Sequence, residues 1–342
     1  MRETLPEHTG VAMPPAPYDP CVDPPGLGLR TVGSDASSGA LLDVLRVTAD
    51  LGDPSLVEAG VRERAERFAP ASLVGLSPIV RVARAADGRL EVWSERALGY
   101  RLSAVLEWAD TRGVATPLDV ALTVGDRLLA ALASLQQADR GSGASGHGAI
   151  AVDQVVLAED GTLTLTDYAF GTVLARLQLT RDRLWRRFRI AMPPAAGLAR
   201  FDHRVDVTQA AIVITALLLG RVPRADEYPR DVAALVAEAA RQGGAGVPRD
   251  EQERLLAWLR AATELDPRNA FRSAADARAA LAGAFGTHRT GVPAVRRWLR
   301  ETRGLPPVDE RPQPDPTPEP PPAPDVPTAS VFERLNRWVR RR

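Results

Sequence analysis

No lysine occurs anywhere in the chain; all 43 basic side chains are arginines. Chemistry that requires an ε-amine is closed to it, whether a Schiff base or the lysine of a phosphate-binding P-loop. Cys21 is the single cysteine, which excludes an intramolecular disulfide and a cysteine-rich zinc site. Net charge is absent too. The 43 arginines face 43 acidic residues, so no global field points to nucleic acid or to a membrane. Nor is there a long apolar run: the longest, Ala210 to Leu219, is too short to cross a bilayer and is expected to be a buried helix. Glu3 and Glu7, with no apolar segment beside them, are unlike a secretory signal. What is present suffices for a packed core. With 45% apolar residues over 342 positions, the chain is long enough for one large domain or two small ones. The sequence reads as that of a soluble, cytoplasmic protein.

Residues 1 to 38 are rich in proline and glycine with few large apolar side chains, and are expected to be mostly disordered. Within them, PGLGLRTVG (25–33) lacks the third glycine and the lysine of a phosphate loop and reads as a turn. Residues 41–47 read as a strand, and residues 55–68 as a helix opened by Asp53-Pro54. Residues 78–95 read as a hairpin turning at Asp87-Gly88. Residues 101–110 and 117–139 are expected helices, the second carrying Leu118, Leu122, Leu128, Leu129, Leu132 and Leu135 at nearly helical spacing. A second hairpin follows: Val155 to Leu157, a turn at Glu159-Asp160-Gly161, then Leu163 and Leu165 alternating with threonines.

The residues flanking that second hairpin carry more information. The stretch HGAIAVDQVVLAEDGTLTLTDYAFG (147–171) resembles the catalytic loop and metal-binding turn of the eukaryotic-like Ser/Thr protein kinases of bacteria. His147-Gly148 matches the turn that opens the catalytic loop, and Asp167-Tyr168 matches the start of the Asp-Phe-Gly motif. Further on, Asp206, the buried apolar stretch and Leu218-Leu219-Gly220-Arg221-Val222-Pro223 match the family's central helix. Leu265-Asp266-Pro267, Arg272 and a helix capped near Ser273 match its last ones. The resemblance covers residues 41 to 283. It implies an α+β, protein-kinase-like two-lobed fold. Residues 39–97 would form a reduced small lobe, 98–285 a mainly helical large lobe, and 286–304 a further short helix.

The resemblance also implies that the reactive groups are gone. Ala149 stands where the family has its catalytic base, Ala151 where it has a lysine that neutralises the transferred phosphoryl group, and Gln154 where it has a metal-binding asparagine. Ala169 replaces the glycine of Asp-Phe-Gly, and Ala195 removes the glutamate that in the family pairs with a buried arginine. In the small lobe Arg46 falls where the family's ATP lysine belongs, with Glu63 or Glu66 as its helix partner. Residues 95–99, including Glu95 and Ala97, would be the hinge beside a nucleotide. Asp167 alone would hold Mg²⁺ weakly. The expected function is that of a pseudokinase, a regulatory or scaffolding module with a protein partner, no nucleic acid and no required cofactor. Two alternatives stand beside it: a divergent nucleotide-binding protein or weak Ser/Thr-kinase-like phosphotransferase, and an unrelated helical adaptor.

Outside that frame, LTRDRLWRRFRIAMPPAAG (179–197) carries five arginines and no serine or tyrosine. Arg186, Arg187 and Arg189 are either a solvated face or a dock for an acidic partner. Residues 305–328 are a proline-rich linker. In the tail, 329–342, Phe332, Leu335, Trp338 and Val339 share a helical face among arginines, as in a segment that touches a partner or an anionic membrane surface.

Overall fold

The computed structural model describes residues 26–69, 73–139, 146–194, 201–286 and 291–305. Four antiparallel strands open the fold: β1 (Gly28–Ser34), β2 (Leu41–Val47), β3 (Ile79–Arg84) and β4 (Leu90–Glu95), in the spatial order β1-β2-β4-β3. Strand alternation sorts their side chains. Leu45 and Val47 of β2 and Leu90 and Val92 of β4 share one face and enter the core. Helix α1 (Pro54–Phe68) covers this sheet. Asp53 caps it, accepting from the amides of Ser55 and Leu56 at 2.8 and 3.2 Å, and Pro54 occupies the first helical position.

The first strand corrects the expectation of disorder through residue 38. Residues 28–34 pair with β2 in full register, from Gly28 opposite Val47 to Ser34 opposite Leu41. GLRTVGS has little strand propensity of its own, and the partner edge supplies what composition does not. The remaining boundaries expected for the small lobe match within a residue or two.

The rest is mainly helical. β5 (Tyr100–Arg101) pairs with β6 (Val155–Leu157), which pairs with β7 (Leu163–Leu165). Helices α2 (Leu102–Arg112), α3 (Leu118–Ala138), α4 (Gly171–Arg176), α5 (Arg181–Phe188) and α6 (His203–Leu219) follow in order. α7 (Val232–Gly243), α8 (Arg249–Ala262), α9 (Ala274–Phe285) and α10 (Val292–Thr302) complete the described part. α6 is buried on every side from Val205 to Leu218, so it forms the axis of this region. Asp202 caps it through the amides of Arg204 and Val205, and Gly220 ends it in the left-handed conformation. α10 buries Val295, Trp298 and Leu299, and its end brings Arg303 over the Tyr100 ring at 4.3 Å. No described helix is long and apolar enough to cross a membrane. The linker and the tail with Trp338 lie outside the described residues.

One buried cation ties the small sheet's helix to the helical region. Arg64 of α1 is 1% exposed. It donates to the carbonyls of Tyr168 at 3.0 Å and Gly146 at 2.7 Å, and it lies 3.6 Å from the Asp139 carboxylate. Three acceptors would lose a donor if it were cut back. Arg64→Met is expected to lower unfolding free energy in urea by about 2–4 kcal/mol. A change smaller than about 0.5 kcal/mol, the scale of a neutral surface substitution, would show that this staple carries no weight.

Candidate functional site

The segment expected to hold the chemistry is shaped by one carboxylate. Asp206, fully buried in the first turn of α6, accepts from the amide of His147 at 2.9 Å and the amide of Gly148 at 2.8 Å. Gln136 donates to it from α3 at 3.3 Å. Glycine is required before this turn, because a Cβ at Gly146 would fall on the Asp206 carboxylate itself. Burial pushes Asp206 up from the usual carboxylate range, while the two amides and Gln136 pull it back. Gln209, one turn further along α6, accepts from Ile150 at 2.9 Å and donates to the carbonyls of Gly148 and Ala191 at 3.2 Å each.

His147 is fully buried and points inward. Its Nε2 lies 3.1 Å from the Thr166 carbonyl, and its Nδ1 accepts from the Ala149 amide at 3.3 Å. A ring that must donate at Nε2 and accept at Nδ1 is neutral. In agreement, burial and the nearby Arg64 charge push its pKa down to about 4. It is a structural histidine, locking the loop to the strand that leads into Asp167.

Asp167 sits in a left-handed conformation (φ 66°) and is buried. Its carboxylate receives a fork from Arg30 of β1: Nη1 to Oδ1 at 3.2 Å, with Nη2 closing on Oδ2. Thr166 Oγ1 adds a bond to Oδ2 at 3.1 Å. Arg30 Nε lies 3.6 Å from Asp153 Oδ2, and Ser103 Oγ donates to Asp153 Oδ1 at 3.0 Å. Arg101 approaches from β5, donating to the Asp153 carbonyl at 2.5 Å. Burial alone would raise the Asp167 pKa; the charges of Arg30 and Arg101 and the Thr166 bond overcome it and hold the group below its ordinary value.

Asp43 of β2 is the third acid here, and its position corrects the reading of Arg46. The two lie three residues apart on one strand, an odd spacing that puts them on opposite faces. Asp43 pairs across with Val32 and Ser94, on the face that carries Arg30. Arg46 is on the other face, 40% exposed, with Nη2 2.9 Å from Glu91 and Nη1 4.0 Å from Asp87. It does not meet Glu63, which pairs with Arg67 and Arg176 instead. The hinge groups are also engaged. The Ala97 amide donates to Asp43 at 3.3 Å, and the Glu95 carbonyl accepts from Ser77 Oγ at 2.6 Å.

Ala149, Ala151 and Ala169 are buried methyl groups. Gln154 is buried as well, and its Oε1 has no hydrogen-bond partner among the described atoms. Arg272 is exposed rather than buried, and Ala195 lies outside the described residues. The arginine-rich segment folds as one short helix, α5. Leu184, Trp185 and Phe188 are buried, and Trp185 packs on Tyr228 with ring centroids 4.5 Å apart. Arg187 reaches Thr48 at 3.4 Å and Arg189 lies over Trp185 at 5.5 Å, so both face their own protein. Arg186 is exposed and paired with Asp182 at 3.1 Å.

No protein-family model matches the chain, and no curated protein matches it in sequence. Solved structures do match. A crystal structure of the PknI kinase domain of Mycobacterium tuberculosis aligns at TM-score 0.54 and 16% identity, over 76% of this chain and 92% of that one. A second aligns at TM-score 0.50 and 18% identity, over 75% and 91%. A cysteine-to-alanine variant of the same domain aligns at 0.53 and 16%, over 75% and 90%. The fold is that of a protein kinase. The alternative of an unrelated helical adaptor falls with it.

The kinase frame allows a direct test of fit for Mg²⁺ and ATP. Both oxygens of Asp167 are held by a guanidinium, and Asp43 rather than a cation lies on the β2 face that carries Arg30, where it takes the Ala97 amide. Among the described residues no group of three or more His, Cys, Asp or Glu side chains is arranged to hold a metal ion. In this arrangement Arg30 takes the Asp167 oxygens that a metal ion would otherwise use.

Two outcomes follow for the kinase-like core. Asp206→Ala strands two buried amides, so it is expected to lower unfolding free energy by about 2–4 kcal/mol. His147 gives a pH dependence of definite sign. The folded state holds it neutral down to about 4, while the unfolded chain takes up its proton near 6.5. Stability is therefore lost as pH falls between those values, by up to about 1.4 kcal/mol per pH unit. Urea titrations across that window should show the slope in the wild type and a flatter one in His147→Asn. Parallel slopes would contradict the neutral assignment.

Proposed function

We propose that this chain is a pseudokinase, a kinase-shaped module that acts by binding a protein partner rather than by transferring phosphate. The observation that carries the reading is the Arg30–Asp167 fork, which puts a side chain of the protein where a kinase directs its metal. The substitutions at Ala149, Ala151 and Gln154 act in the same direction. Loss of one such base or charged contact costs a factor of about 10² or more in rate.

The architecture also supports a binding role. The scaffold is intact, with Arg64, Asp206 and Gln209 all enlisted in holding its shape. The segment after Asp167 packs into the core through Val173, Leu174, Leu184 and Trp185. Its exposed arginines, Arg183 and Arg186, present positive charge on a rigid helix.

Purified full-length protein incubated with γ-labelled ATP, Mg²⁺ and a generic protein substrate is expected to transfer no label above a no-enzyme control. Its thermal midpoint should not move when ATP and Mg²⁺ are added. Robust transfer would overturn the reading. A nucleotide-dependent midpoint rise that is lost in Asp167→Ala would favour a divergent nucleotide-binding protein instead.

A further inference from the structure

We infer that the acidic site at the base of the cleft is a guanidinium-binding site, with Arg30 as its resident ligand in place of a metal ion. The geometry is that of guanidinium recognition. The planar fork meets the two oxygens of Asp167 in parallel, and the third nitrogen turns toward Asp153, 3.6 Å away. A divalent ion asks for something else: Mg²⁺ needs near-octahedral oxygens and retains several waters, whereas here the carboxylates are spread to match a flat cation with donors on three sides.

Charge counting agrees. Asp43, Asp153 and Asp167 surround Arg30 and Arg101, so the group already carries one negative charge in excess. Without Arg30 the excess is two, with a bidentate acceptor already shaped. The acceptor is itself pre-organised: Thr166 Oγ1 holds Asp167 Oδ2 at 3.1 Å, and Ser103 Oγ holds Asp153 Oδ1 at 3.0 Å. Entry is open, because the Asp153 side chain is 45% exposed and Arg30 comes from an edge strand that can be vacated by one substitution. The ligand class is therefore a guanidinium group, free or borne on an arginine side chain. This deepens the pseudokinase reading and rests on it for a cleft free of nucleotide.

The test is chemical rescue in the full-length protein. Arg30→Ala should lower the thermal midpoint by roughly 3–8 °C. Low-millimolar methylguanidinium, at constant ionic strength, is expected to recover most of that loss while leaving the wild type unmoved. Methylammonium, which has the charge without the fork, should recover little, and the double variant Arg30→Ala/Asp167→Asn should not respond to either. Arginine amide in place of methylguanidinium separates a site that takes a peptide-borne group from one that takes only the small ion. Arg30→Gln, which keeps the stem and the strand pairing, carries the same measurement if Arg30→Ala does not fold. Equal rescue by methylammonium, better rescue by Mg²⁺ with ATP, or no rescue by any of them would overturn the proposal. Phosphate transfer by the wild type would instead sink the pseudokinase reading and leave the rescue result standing by itself.

Discussion

A carboxylate buried away from water must be satisfied by the groups around it, and Asp206 is satisfied by the backbone of the loop that matters most. Its two oxygens take the amides of His147 and Gly148, and α6 holds it rigidly at the centre of the helical region. From that one anchor the rest follows. The turn at 146–148 cannot drift, so His147 reaches the strand before Asp167, and Gln209 ties the same loop to the segment near Ala191. The Gly146 carbonyl in turn receives Arg64, which couples the small sheet's helix to the same turn. Buried polar groups of this kind specify a structure because leaving any one of them unpaired costs more than the bond itself contributes.

The cleft shows the same logic with the charges rearranged. In a protein kinase the frame positions an anionic nucleotide among cations. Here an arginine on the first strand, Arg30, pairs directly with Asp167 of the helical region. The pairing fixes the edge strand over the helical region. Together with the Arg64 staple it ties the small sheet to the helical region at two separate points. For the binding role proposed above, such ties would leave less conformational freedom to be lost when a partner docks.

Substituting a lysine-free set of cations shaped these solutions. Arginine presents several donors in one plane and holds its charge when buried, which suits it to bridge backbone carbonyls and carboxylates at once, as Arg64 and Arg30 do. A flexible ammonium would satisfy fewer of these acceptors in a fixed direction. The arginine-rich segment 181–189 is likewise partly inward-facing: Arg187 and Arg189 are consumed by Thr48 and Trp185, and Arg183 and Arg186 are left at the surface.

Local pattern determined most of the elements, and the resemblance of the motifs to a known family implied the fold. The helical periodicity of 117–139, the Asp53-Pro54 start, the glycine turns of both hairpins and the all-apolar stretch at 210–219 are short-range signals, and each marks its element within a few residues. The positions of His147, Asp167 and Asp206 were legible for the same reason, because motif spacing is a property of the chain. Tertiary structure alone decided what those residues touch. Arg30 lies 137 positions from Asp167 in a segment whose composition suggested disorder, and only strand pairing brings it across the cleft. Asp43 rather than Arg46 faces inward because of strand register, which depends on the neighbouring strand and shifts every side chain to the opposite face with a slip of one residue. Arg64 reads as one more charge on an amphipathic helix until the carbonyls of Gly146 and Tyr168 close around it. Spacing along a chain encodes local geometry, but the partner of a buried charge is set by packing, and no window of sequence contains it.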